Sequence, residues 1–121
     1  FHMGDIRYQY SRPEYLLNVI ADFPELKIIG AHFGGWSEWG RGAELLAGKD
    51  VWGDCSSARQ WMQKEQFIAL IDAFGADRVL FGSDYPMWNP ADELEYIEGL
   101  KLPADKLDDI LYKNAVQVLG I

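Results

Sequence analysis

The sequence predicts an α/β chain built on parallel strands, and three observations carry that prediction. Short aliphatic runs alternate with longer stretches of helical period, as in successive βα units. The aliphatic runs are nearly continuous in apolar character, the pattern of strands covered on both faces. Each run also ends on a polar or titratable residue, which fits strands whose exits all lie on one side of a sheet.

The elements follow in order. "FHMGD" reads as a strand ending near Asp5. Over 13–23, Leu16, Val19, Ile20 and Phe23 share a helical face, and Ser11 with Glu14 has the spacing of a capping box. "LKIIGAH", 26–32, is a buried strand closed by Gly34 and Gly35, with a weaker helical segment over 37–47. "VWGDCSS", 51–57, is a third strand, followed by a helix from about 60 to 74 that aligns Phe67, Leu70, Ile71 and Phe74. "DRVLFGSD" is the fourth. Asn89 before Pro90 marks a helix start, with Leu94, Ile97 and Leu100 on its face. The last helix, about 103–119, aligns Leu107, Ile110, Leu111, Val118 and Leu119 on a buried face and stops at Gly120.

At 121 residues the chain is a single domain at most, and 49% hydrophobic with 25% charged residues is the composition of a globular protein. A net charge of −8, from 19 acidic against 11 basic residues, argues against nucleic acid as a partner, because no basic cluster can neutralise several phosphates. No apolar run approaches the roughly 18 to 20 residues of a membrane span, so no membrane partner is expected. The lone Cys55 rules out an internal disulfide and fits a reducing compartment, so a cytoplasmic location is expected.

Chemistry concentrates at the strand exits. His2, Asp5, His32, Asp54, Ser56, Ser57 and Asp84 could meet on one sheet edge although they are far apart in sequence. Singly, each has a structural explanation; Asp84, for example, could cap the turn of "DYP". Jointly, the only two histidines and a strand-terminal aspartate form a set suited to zinc or a similar divalent cation. Such a cation would also offset the hydration that a carboxylate loses at the end of the apolar run "RVLFG". A metal-bound water would then supply hydroxide at neutral pH. Motifs for rival chemistry, GxSxG, GxGxxG, GxxxxGK[ST] and CxxC, are absent.

"FPELKIIGAHFGG", "VWGDCSS", "DRVLFGSDYP" and "KNAVQVLGI" together closely resemble the C-terminal half of the amidohydrolase-related proteins, TIM-barrel metal-dependent hydrolases that include decarboxylases of aromatic and muconate-type acids. The resemblance implies strands five to eight of a (β/α)8 barrel. It makes His2 the strand-five metal ligand, and His32 the strand-six histidine that polarises substrate or water, or ligates where two metals are held. Asp84 becomes the strand-eight aspartate, a ligand and proton shuttle. The expected cofactor is a divalent metal, zinc first and manganese second. The family's strand-one His-x-His pair is not in this chain, whose two histidines are already placed. The sequence therefore reads as a fragment lacking strands one to four, with open edges that favour self-association or contact with the missing barrel half.

Around the exits, Tyr8, Tyr10, Trp36, Trp39, Trp61, Tyr85 and Trp88 are candidates for an apolar substrate wall, with Trp36, Tyr85 and Trp88 foremost, and Arg59 is preferred over Arg7 and Arg41 for pairing a substrate carboxylate. The leading expectation is a metal-dependent hydrolase of a small amide, ester or lactone, with His32 and Asp84 catalytic. Its alternatives are a metal-dependent non-oxidative decarboxylase or hydratase of a cyclic or aromatic acid, and a non-catalytic α/β binding module.

Overall fold

A three-stranded parallel sheet with helices packed on it organises the protein, in a computed structural model that describes residues 1–121. In chain order the elements are α1 (Pro13–Asp22), β1 (Ile29–Gly30), α2 (Trp39–Leu46), β2 (Trp52–Asp54), α3 (Lys64–Phe74), β3 (Val79–Leu80), α4 (Pro90–Gly99), α5 (Ala104–Asp108) and α6 (Asn114–Leu119). A single π-helical stretch, Asp109–Lys113, joins α5 to α6 and makes one continuous helical rod of the region expected at 103–119. The strand order is β1-β2-β3, with Ile29 opposite Trp52, Gly53 opposite Val79 and Asp54 opposite Leu80. Sequential, parallel neighbours are what right-handed βα units produce.

The ladders are shorter than the apolar runs that contain them. Pairing of β1 stops because His32 and Phe33 turn to φ +60° and +53°, outside the β region. Past Leu80, the Phe81 N–H leaves the sheet and donates to the Ile110 carbonyl at 2.8 Å. The expected first strand is not a ladder strand either. Phe1 lies alongside β1, its amino group donating to the Ile29 carbonyl at 2.7 Å and its carbonyl accepting from Ala31 N–H at 2.8 Å. Beyond it only an isolated parallel bridge, Gly4 with Trp36, continues the contact. Glycine is required there: at φ +80°, a Cβ on Gly4 would lie 2.4 Å from the Trp36 carbonyl oxygen.

Helix starts show which local signals survive folding. Asn89 caps α4, its side chain accepting from Ala91 N–H at 2.9 Å, with Pro90 in the first turn. The Ser11/Glu14 box does not form. Ser11 Oγ donates instead to the Gly4 carbonyl at 3.1 Å and Glu14 pairs with Arg41, so α1 begins on Pro13 without a side-chain cap. Tertiary partners outbid a local motif that is worth about 1 kcal/mol.

The main core lies between the sheet and the helical layer, with Leu16, Ile28, Phe33, Leu46, Val51, Phe67, Ile71, Phe74, Val79, Ile97 and Ile110 buried. Phe33 sits edge-on to Phe67 at 5.5 Å between ring centres. Phe23, Leu94 and Leu119, assigned to helical faces by period, are exposed, because each lies near a helix end or at the margin of the packed face. On the opposite face of the sheet a small cluster of Trp52, Leu80 and Val118 packs, with the Arg78 guanidinium 4.5 Å from the Trp52 ring centre. No helix is long and apolar enough to cross a membrane.

Cys55 lies in the main core, and burial pushes its thiol up to about 12. The thiolate is the reactive form. Cys55 is therefore expected to resist an alkylating reagent at neutral pH until the chain is unfolded by denaturant; fast labelling of the native protein would show that this part of the core opens.

Candidate functional site

The strand exits converge, and the backbone there is unusual. Asp5, His32, Phe33, Ser37, Ser57 and Asp84 all have positive φ, and Lys101 is the only other non-glycine residue that does. Such conformations cost on the order of 1 kcal/mol or more each and persist where surrounding contacts enforce them, most often at functional sites.

Those contacts form two linked networks. From β2, Asp54 Oδ1 accepts the His32 backbone N–H at 3.1 Å, the Ser56 backbone N–H at 3.0 Å and the Ser56 hydroxyl. His32, itself buried, sets Nδ1 2.8 Å from Ser56 Oγ and Nε2 3.1 Å from His2 Nδ1. On the other side, Ser57 Oγ donates to Asp84 Oδ2 at 2.7 Å and accepts from Trp88 Nε1–H at 2.9 Å. Burial first, and then the adjacent His32 ring, hold the His2 imidazole below its ordinary value, against the pull of Asp84 and Asp5.

A cleft of about 300 Å³ opens over these groups, lined by His2, Asp5, Arg7, His32, Trp36, Ser57, Trp61, Asp84, Met87 and Trp88. Tryptophan walls facing a set of convergent polar groups suit a small organic ligand that carries charge. Trp36 and Trp61 meet edge to face at 6.2 Å. Arg7 brings the only guanidinium. It forks onto Asp5 through Nε to Oδ1 at 2.9 Å and a terminal nitrogen to Oδ2 at 2.8 Å, and it lies 5.4 Å from the Trp36 ring centre.

That fork lowers the Asp5 carboxyl from 3.8 to about 2. Because the folded value is depressed, the pair's contribution is present above 3.8 and is lost as pH falls through about 2. Carboxyl-carbon NMR should give Asp5 a midpoint near 2, moving toward 3.8 in Arg7→Ala; an unshifted native midpoint would mean that the fork does not hold in solution.

The sequence-derived candidates divide. His2, His32, Asp84, Trp36 and Trp88 line the cleft. Arg59 and Tyr85 do not. Arg59 is turned away, donating through Nε to Glu93 Oε1 at 2.7 Å and lying 5.3 Å from the Tyr96 ring centre. Tyr85 is exposed outside the lining. Arg41 is bound to Glu14, Trp39 stands behind Trp36, and Tyr8 and Tyr10 stack on each other in solvent. Of the other lining residues, Arg7 and Trp61 were among the candidates read from sequence, whereas Met87 sits in a loop with no motif to mark it. Ser57 was visible as a strand-exit residue, but its bond to Asp84 spans 27 positions.

The donor types at the cleft, two imidazoles and a carboxylate, are those of a divalent metal site. They are not gathered as one. No three His, Cys, Asp or Glu side chains stand together closely enough to hold a metal ion. His32 has both ring nitrogens engaged, and one Asp84 oxygen is taken by Ser57. Asp84 is also exposed, so water and the Ser57 hydroxyl serve the carboxylate that the apolar run had seemed to strand.

The family model Amidohydro_2, described as amidohydrolase, matches residues 1–121. The chain belongs to the amidohydrolase family. Among curated relatives, 2-amino-3-carboxymuconate-6-semialdehyde decarboxylase of Caenorhabditis elegans is 31% identical over 123 residues, covering 86% of this chain and 30% of the relative. Among solved structures, an uncharacterised TIM-barrel protein of Bordetella bronchiseptica superimposes with a TM-score of 0.80 at 26% identity, over 98% of this chain and 44% of that one. A dihydroxybenzoic acid decarboxylase of Polaromonas sp. JS666, solved with manganese and the inhibitor 2-nitroresorcinol, gives 0.66 at 18% identity, over 84% and 36%. This amidohydrolase chain thus has TIM-barrel neighbours, and it spans about a third to a half of their length.

Proposed function

We propose that this chain supplies part of the active site of a metal-dependent, non-oxidative decarboxylase of a small muconate-type or aromatic acid. The likeness to the muconate semialdehyde decarboxylase carries this reading. It ranks decarboxylation above the hydrolysis expected from the sequence. The cleft is consistent with it: Arg7 is placed to take a substrate carboxylate, Trp36, Trp61 and Trp88 to cover a planar carbon skeleton, and the His2–His32 pair with Asp84 to carry a proton. Placement as strands five to eight of a barrel belongs to the same proposal.

A divalent metal, manganese or zinc, is part of the reading because the Polaromonas decarboxylase holds manganese. His2 Nε2 and Asp84 Oδ1 are the donor atoms with no hydrogen bond within the chain, and the remaining ligands come from outside these 121 residues. A substrate-binding cleft is favoured over a non-catalytic module by the strained backbone gathered at it.

The experiment supplies manganese or zinc and compares carbon dioxide release from 2-amino-3-carboxymuconate-6-semialdehyde and a dihydroxybenzoate with ring opening of a lactone of similar size. Carbon dioxide release supports the reading, and lactone opening without it restores the hydrolase. The proposed partner is a second copy or the missing barrel half, joined at the open edges of the three-stranded sheet. Light scattering at micromolar concentration should show more than a monomer, and a monodisperse monomer would count against association.

A further inference from the structure

We infer that Asp54 and Ser56 are positioning residues that set the proton positions of both histidines, so that His2 presents an unprotonated Nε2 at the cleft. This rests on hydrogen-bond geometry and holds whichever reaction the site performs.

The chain of donors and acceptors has one consistent direction. Asp54 Oδ1 already accepts two backbone N–H groups, from His32 and Ser56, and so it is an acceptor for the Ser56 hydroxyl as well. With its proton directed to Asp54, Ser56 Oγ can only accept from the ring nitrogen 2.8 Å away, His32 Nδ1. The Ser56 backbone carbonyl, 3.2 Å from the same nitrogen, is also an acceptor and requires the same proton. A neutral His32 therefore carries its hydrogen on Nδ1 and a lone pair on Nε2.

That lone pair faces His2 Nδ1 at 3.1 Å, which must then donate. His2 is left with its hydrogen on Nδ1 and a lone pair on Nε2. An unconstrained imidazole favours the opposite form, with hydrogen on Nε2, so the relay reverses the ordinary preference at both rings. Orientation of a site imidazole through its second nitrogen is a general means of fixing its tautomer. Here one carboxylate acts through a hydroxyl on two rings in series. The consequence is that His2 offers the cleft a base or a ligand atom without first losing a proton.

The test is a long-range proton–nitrogen NMR correlation on nitrogen-15-labelled protein in mildly alkaline buffer, with the rings assigned through His2→Gln and His32→Gln. Both rings should show a pyrrole-type shift at Nδ1 and a pyridine-type shift at Nε2. A pyrrole-type shift at His32 Nε2 overturns the proposal. Ser56→Ala should move the two His32 nitrogen shifts toward one another as the tautomers mix, and Ser56→Thr, which keeps the hydroxyl, should retain the native pattern. A Ser56→Ala spectrum identical to that of the native protein also overturns the proposal, since the carbonyl alone would then set the tautomer. Because Asp54 holds backbone groups too, the serine variants carry the test, and amide spectra confirm that each remains folded.

Discussion

Asp84→Asn is expected to reduce turnover at least about 100-fold, the scale of a lost proton-transfer group, while the melting temperature hardly changes. Asparagine is the right replacement because Asp84 sits at φ +58°, a left-handed conformation that Asn tolerates better than almost any other side chain. An Asn amide oxygen can also still accept the Ser57 hydroxyl that Asp84 Oδ2 holds at 2.7 Å. Only the charge and the proton affinity are removed. Asp84→Ala would add backbone strain and orphan Ser57, so its loss of activity would be ambiguous. The comparison is made by kcat in the decarboxylation assay of the proposed function, beside a thermal melt. Native turnover in the Asn variant would return Asp84 to the role of a turn cap.

Arg59→Ala should act on stability and not on substrate binding, lowering unfolding free energy by about 3 kcal/mol, the scale of breaking a buried pair by removing one partner. Glu93 is 3% exposed, and its Oε1 accepts from both Arg59 Nε and Gln60 Nε2 at 2.7 Å. Without Arg59 the carboxylate keeps one neutral partner in a closed site. The same contact ties the loop after β2 to α4, so part of the loss would come from loosening the segment that follows Ser57. Urea unfolding of Arg59→Ala, Glu93→Leu and an Arg59→Met/Glu93→Leu double variant forms the check. The double variant should recover most of the loss, since a buried pair can often be replaced by apolar groups at little cost. Unchanged stability in Arg59→Ala, with a raised KM, would give Arg59 the substrate role expected from sequence.

These two residues show where local sequence stops informing. Asp84 was legible because it ends an apolar run, and an isolated charge in that position calls for an explanation at any level of structure. The sequence preference for Arg59 over Arg7 was wrong about which one lines the cleft, because both follow a strand exit by a few residues, and sequence spacing gives no side-chain direction. The decision came from Glu93, 34 positions away, which captures Arg59, and from Asp5 and Trp36, which hold Arg7 at the cleft. The Ser11/Glu14 capping box failed for a related reason, since Glu14 found a guanidinium 27 positions downstream.

By itself the sequence determined the α/β class, the parallel order, the start of α4 at Asn89 and Pro90, and the gathering of His2, His32 and Asp84 on one edge. Hydrophobic period, capping chemistry and strand-end polarity are local properties, and parallel topology turns them into a common side. The tertiary structure alone decided how short the ladders are, which arginine faces the cleft, and that the two imidazoles bind one another with no third ligand beside them. Each of these depends on side-chain and backbone directions that residues far apart in sequence impose on one another through contact.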